Sequence, residues 1–350
     1  MSHPPSRRPE AASLEQAAVA ARGPSASRRA LLGILIAFGV PGLATPCDST
    51  GCLLVTRSAS GLLAPKAWRL DLSFRTTDDS RLLSGSGETS RVNRPKVDFE
   101  NQIVRPGFHQ DLGGTSRFLQ LDIGYGLTGR TTALASAPVV THRDYEIGHP
   151  AALTESYETW GLGDTLVGVR HSFLAPGSLS VVGGIAVELP TGDHKLVSPE
   201  ALFDIGVLDP MLQPGSGSFD AVLSAQCAKR LGVGDLDLTA AFSYQANSTN
   251  DLDYRYGNDA IASLSLARPL ASWVRASLQV KYANRGRSQY RGEGVEATGG
   301  TIVYAVPGLS VPLPTRFSVY LFVPLPVYRY VNETQVAPRI SLVAGLSRMF

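Results

Sequence analysis

From Trp68 onward, apolar side chains recur at every second position. That is the repeat of a β-strand with two chemically different faces. Trp68, Leu70, Leu72 and Phe74 share one face, and Arg69, Asp71, Ser73 and Arg75 share the other. Leu119, Leu121, Ile123, Tyr125 and Leu127 oppose Gln120, Asp122, Gly124 and Gly126. The pattern returns over 131–139, 163–173, 179–189, 219–230, 236–245, 259–267, 274–282, 299–311, 315–327 and 339–350. This predicts about twelve strands. Ten or fourteen stay open, because Pro324 and Pro326 interrupt the strand of Phe317, Val319, Leu321 and Val323. Proline cannot donate to a ladder, so an early end or a bulge near the outer rim is expected there.

The connections alternate in length. Tight turns fall at Thr128–Arg130, Leu174–Ser178, Leu231–Asp235, Pro269–Ser272 and Pro312–Pro314. Long polar stretches fall at 77–116, 140–162, 190–218, 246–258, 284–298 and 328–336. Short turns on one side and long loops on the other is the layout of an outer-membrane barrel. In lipid every backbone N–H and C=O must pair internally, so an open sheet edge is not tolerated. The expected fold is all-β: a transmembrane antiparallel up-and-down β-barrel over 66–350.

Composition agrees. Charged residues are 18% of the chain, against ~25% in soluble domains. After residue 45 no window of ~18 residues is apolar enough for a spanning helix. The net charge of +2 gives no nucleic-acid footprint.

Residues 1–44 read as an export signal. Ser27-Arg28-Arg29 precedes an apolar run from Ala30 to Val40, and small residues lead up to a cut after Ala44. A periplasmic segment, 45–65, then precedes the barrel. After export, Cys47 and Cys52 form a candidate disulfide in an oxidising compartment, with two free thiols as the equal alternative. Cys227 reads as a small apolar strand residue.

Most chemical-looking motifs are decoys. Gly124-Tyr-Gly126-Leu-Thr-Gly129 has dinucleotide-fingerprint spacing, but it leads into a strand where the fingerprint needs a helix. His142 and His149 share a predicted loop with Asp144 and Glu146. A weak metal site is the sharper reading there and solvated loop residues the favoured one. His171 has outward parity without a convincing serine neighbour, which leaves a lipid-facing hydrolase a distant third. No catalytic residue, cofactor or metal site is expected. The inward-facing charges weigh more: Arg69, Arg75, Arg170, Arg275 and Lys281, with Asp71, Asp122, Glu188, Asp220 and Asp237. They form either an internal salt-bridge network that closes the barrel or the wall of a wet passage.

Two resemblances follow from particular residues. Ile340, Leu342, Ala344, Leu346 and the terminal Phe350 share one face. The pattern resembles the sorting signature of bacterial outer-membrane barrels, which implies recognition by the barrel-assembly machinery and contact with outer-membrane lipid. Arg348 departs from it. Gly161-Leu-Gly-Asp-Thr-Leu-Val-Gly-Val-Arg170, Gly184-Ile-Ala-Val-Glu-Leu-Pro-Thr-Gly-Asp193 and Pro214-Gly-Ser-Gly-Ser-Phe-Asp220 follow one another in this order. With Tyr125-Gly-Leu-Thr128 and Val306-Pro-Gly-Leu309, they resemble a bacterial outer-membrane family described as the meta-pathway of phenol degradation, transporter-like. The resemblance covers about 117–350 and implies passage of aromatic compounds. The expected function is thus an outer-membrane channel for passive uptake of small hydrophobic or aromatic compounds in a Gram-negative cell. The alternative is a plugged structural or surface-interaction barrel without transport.

Overall fold

The computed structural model describes residues 62–149, 153–174, 179–198, 206–232 and 235–350. The chain divides into Met1–Pro41 and Gly42–Phe350, and every described residue belongs to the second unit. The expected signal, 1–44, and the Cys47/Cys52 pair lie outside the described residues.

Twelve strands form the wall: β1 (Trp68–Asp79), β2 (Ile103–Gly126), β3 (Thr131–His149), β4 (Thr165–Ser172), β5 (Leu179–Leu189), β6 (Asp220–Leu231), β7 (Leu236–Ala246), β8 (Asp259–Ala271), β9 (Val274–Arg285), β10 (Gly300–Pro312), β11 (Phe317–Phe322) and β12 (Ser341–Met349). Each pairs antiparallel with its chain neighbour, and β12 pairs with β1 to close the ring. The closing register runs from Arg69 opposite Met349 to Thr77 opposite Ser341. No ladder edge is left for lipid, which is what permits a sheet to cross a membrane.

Side chains sort by parity. Leu72, Val167, Leu223, Leu264 and Leu278 point outward and are exposed, while Asp71, Ser136, Ser224 and Gln279 point inward. The outward face is the lipid belt. Trp68 packs on Tyr125 with ring centroids 4.6 Å apart at the short-turn end, where barrels place an aromatic girdle. Arg348 stays outward on β12, with its guanidinium 4.8 Å over Phe317 and 4.4 Å over Phe350. Two aromatic faces thus hold the cation that interrupts the apolar C-terminal pattern.

Two features differ from the sequence expectation, the first and the third, and between them one resolves an alternative that the sequence left open. The stretches 77–116 and 140–162 are not open loops. β2 has 24 residues and β3 has 19, so β2 alone spans roughly 80 Å at ~3.3 Å per residue. An apolar band is only ~25 Å tall, so the outer halves of β2 and β3 stand above the membrane. There they pair with Val92–Asp98 and Leu153–Gly161. The second feature is the prolines. β11 ends at Phe322, and Leu325–Val331 continues along β10 with a register shift at Val303/Tyr304. Both an early end and a bulge occur, and the count stays at twelve. The third is the interior. Besides polar groups it holds Leu166, Val222, Ile261 and Tyr304, all buried. Ile261, Ala283, Ile302, Tyr304 and Val306 form a packed cluster on the inner wall. Alternation put apolar residues on the lipid face; it did not show that some inward positions are apolar too.

Candidate functional site: the outer half of the lumen

The long connection between β5 and β6 turns inward. Its Leu208 and Leu212 are buried against Tyr145 and Ile147 of β3 and Tyr157 of the Leu153–Gly161 strand. A short 3-10 turn, Pro210–Leu212, starts at Asp209, whose carboxylate accepts the Met211 N–H at 3.0 Å. Arg143 of β3 donates to the Met211 carbonyl, and Thr159 donates to the Leu212 carbonyl at 2.8 Å. Arg94 joins the fold of this loop to the wall, pairing with Asp111 of β2 and reaching Asp209 at 3.4 Å.

Asp164 fixes the base of the loop. Its carboxylate accepts the N–H of Gly192 at 2.9 Å and of Ser216 at 2.5 Å. Thr165 N–H donates to the Thr191 hydroxyl at 2.9 Å, and that hydroxyl donates to the Gly163 carbonyl at 3.1 Å. The Gly215 N–H donates to the Asp193 carbonyl at 2.8 Å. Close approach requires the glycines here: a Cβ on Gly215 would lie 2.6 Å from the Gly192 carbonyl oxygen. Three short motifs far apart in sequence therefore meet at one carboxylate.

Below the loop lies a cavity of about 190 Å³. Its wall comes from the outer ends of the strands: Asp79 of β1, Glu188 of β5, Asp220 of β6, Gln245 of β7, Asp259 of β8 and Arg285 of β9. Phe118, Tyr145, Tyr254 and Tyr256 add aromatic surface. Arg285 holds Asp259 through two hydrogen bonds of 2.8 Å each. Glu188 accepts from Gln245, and Asp220 accepts from the Ser218 hydroxyl at 2.9 Å and the Ser248 N–H at 2.8 Å.

The structure splits the ten inward charges singled out from sequence. Glu188 and Asp220 line this cavity. The other eight lie nearer the short-turn end, outside it. Asp71 accepts from the Tyr320 hydroxyl at 2.7 Å, and Asp122 accepts from Gln120 at 3.0 Å and from the Ser136 hydroxyl. Asp237 takes Arg275 at 2.5 Å and Arg230 at 3.2 Å. The Arg75 guanidinium sits 4.4 Å over Phe118, and Lys281 sits 5.5 Å over Tyr304. Arg170 is buried on the inner face of β4, and Arg69 is half-buried beside the rim.

Sequence reasoning missed Arg94, Asp111, Arg143, Asp164, Asp209, Asp259 and Arg285. Asp259 opens the predicted strand 259–267 and Arg285 lies three residues past 274–282, and both continue the inward parity of those strands. Asp164 stood inside a recognised motif without a role. Arg94 precedes a proline in a segment with no strand signal. Neither reading weighed for His142 and His149 holds: they are buried strand residues rather than solvated loop residues, and they do not converge on one site. Both are on strand β3 and face opposite sides: His142 is outside, stacked on Trp160 with centroids 3.7 Å apart, and His149 is inside, 3.2 Å from Glu155. No group of three or more metal-binding side chains occurs among the described residues.

No family model and no curated protein sequence matches the chain. Solved structures do. An outer-membrane channel of Pseudomonas putida F1 is similar over 84% of this chain and 99% of its own, with 12% identity and a TM-score of 0.56. Weaker likenesses include the toluene transporter TbuX of Ralstonia pickettii (9% identity, 89% of this chain, 96% of that one, TM-score 0.43) and the translocator domain of the autotransporter NalP of Neisseria meningitidis (12% identity, 85% and 94%, TM-score 0.44). The shared property is the fold. The chain is a closed twelve-stranded β-barrel of the outer-membrane type.

Proposed function

We propose that the protein is a passive channel for small hydrophobic or aromatic compounds. The observation that carries this reading is the 190 Å³ cavity in the outer lumen, roofed by the inward-turned loop. An inward loop that narrows a barrel without filling it is how a selective pore is made, because its lining then meets the solute at close range. Phe118 and three tyrosines offer apolar surface beside the charges, which suits a compound with an aromatic body. Membership of the phenol meta-pathway family is part of the same proposal. It is supported by the order of the three motifs and by their convergence on Asp164. Carried over with it are recognition by the assembly machinery through Leu342, Leu346 and Phe350, and a role in selectivity for the inward charges from Arg69 to Lys281.

One observation favours the plugged-barrel alternative: the buried apolar cluster around Ile302 and Tyr304 occupies the inner wall below the cavity. Conductance separates the two. Purified barrel in planar bilayers should give discrete, voltage-stable steps. Silence from protein that still migrates as a folded, heat-modifiable band would overturn the channel reading.

A further inference from the structure

The outer-lumen cavity has a charge bias that the lumen as a whole lacks. Its described wall carries seven carboxyls, including Asp111, Asp164 and Asp209, against three guanidiniums, Arg94, Arg143 and Arg285. However the pairs are drawn, acid is in excess by four. A second and independent observation comes from neutral groups. Five buried polar atoms on this wall lack a hydrogen-bond partner among the described residues: Thr141 Oγ1, Gln245 Oε1, Asn247 Oδ1, Asp111 Oδ1 and Arg94 Nη2. Thr141 is only 1% exposed and Gln245 5%. Three of the five can only accept, the hydroxyl accepts or donates, and only Arg94 is confined to donating. Buried polar atoms of this kind are ordinarily satisfied, so a concentration of open acceptors around one cavity marks a site shaped for donors.

We propose that this cavity binds small organic ammonium compounds. The charged head would sit among Glu188, Gln245 and Asn247, and the aromatic or aliphatic body against Phe118, Tyr254 and Tyr256. The chemistry matches in each part. An ammonium brings three donors and a positive charge, the complement of open acceptors and excess carboxylate. Tyrosine and phenylalanine faces attract cations as well as apolar rings. A volume of 190 Å³ lies below the range of drug-sized pockets, which limits the ligand to a small molecule. The proposal deepens the channel reading, since a solute that binds in the outer lumen is one the pore would pass or be blocked by.

The test compares three probes that share an aromatic ring: phenethylammonium, phenol and phenylacetate. Each is titrated calorimetrically into the purified full-length protein in detergent, so that binding is read without transport. Phenethylammonium should bind at least about tenfold tighter than phenol, with phenylacetate weakest; one charge-assisted hydrogen bond accounts for such a ratio. Glu188→Gln should lower the ammonium affinity about tenfold and leave phenol unchanged. Gln245→Leu removes the open acceptor beside Glu188 and should lose several-fold in ammonium affinity while the protein still runs as a folded, heat-modifiable band. Equal binding of all three probes, tighter binding of phenylacetate, or no effect of either variant would overturn the site. Ammonium binding by a protein that stays silent in bilayers would support the site and sink the channel. Conductance without ammonium preference would do the reverse.

Discussion

At the residue scale, Asp164 shows how a short motif acquires a structural reason. Its carboxyl is buried, and burial pushes its pKa up against the Ser216 and Gly192 N–H groups that pull it down. Those donors belong to two other segments, so one acceptor ties the β3–β4 connection to both ends of the inward loop. Asp164→Ala would leave two N–H groups without their acceptor in a confined place, costing about 1–3 kcal/mol. Asp164→Asn keeps one acceptor oxygen and should recover about half. The expected outcome is a lower urea midpoint for the alanine variant in detergent, together with noisier and larger conductance as the loop loosens. An unchanged midpoint and current would show that the loop is held elsewhere. The motif was legible in sequence, but its role was not, because Asp164, Gly192 and Ser216 are brought together only by strand pairing.

At the scale of the element, register decides everything, since a slip of one residue exchanges lipid and lumen faces along a whole strand. β4 and β5 pair from Thr165–Leu189 to Ser172–Val182, and β8 and β9 share a register broken only near Pro269. Cysteine introduced at Val167, Leu223 or Leu278 should therefore react with lipid-soluble probes. At Arg170, Ser224 or Gln279 it should prefer water-soluble thiol reagents, and the opposite pattern would refute the register. Cys227 is exposed on the outer face of β6, so it must first be replaced. On the same strand as Arg170, Val167→Arg places a charge on the lipid face and should cost about 2–4 kcal/mol of barrel stability, read by unfolding in lipid vesicles. Alternation made these faces legible because each strand has one side in lipid. It failed for 77–116 and 140–162 because strand above the membrane has no lipid to impose the pattern. His109, Arg143 and Tyr145 there are buried by other protein instead.

At the scale of the whole molecule, the barrel and the superstructure at its long-connection end depend on different forces, and acid should separate them. The wall is held first by closed backbone ladders and lipid contact, which do not titrate, and its inward ion pairs such as Asp237 with Arg275 only add to these. The loops above it are pinned by carboxylates. Asp98 is held near pKa about 2: burial would raise it, and hydrogen bonds from Asn101 and Arg105 outweigh that. Glu333 is lowered chiefly by its hydrogen bonds from Arg287, and it also accepts the Ala297 N–H at 2.9 Å. Asp251 is lowered by Lys195 and His194, which reach it from the β5–β6 connection. A carboxyl whose folded pKa lies below its unfolded one contributes stability above the unfolded value, and loses it as pH falls through the folded value. The window here runs from roughly pH 4.5 down to 2, set by ordinary carboxyl values above and by Asp98 below. Pepsin, active across this range, should cut the 92–105 hairpin and the 286–299 loop increasingly as pH drops, while the barrel remains a heat-modifiable band. Glu333→Gln should reproduce the loosening of 286–299 at neutral pH, read with proteinase K, and leave 92–105 protected. If acid exposes neither loop, or if the barrel unfolds in the same step, then the superstructure is not held by these ion pairs and shares one cooperative unit with the wall.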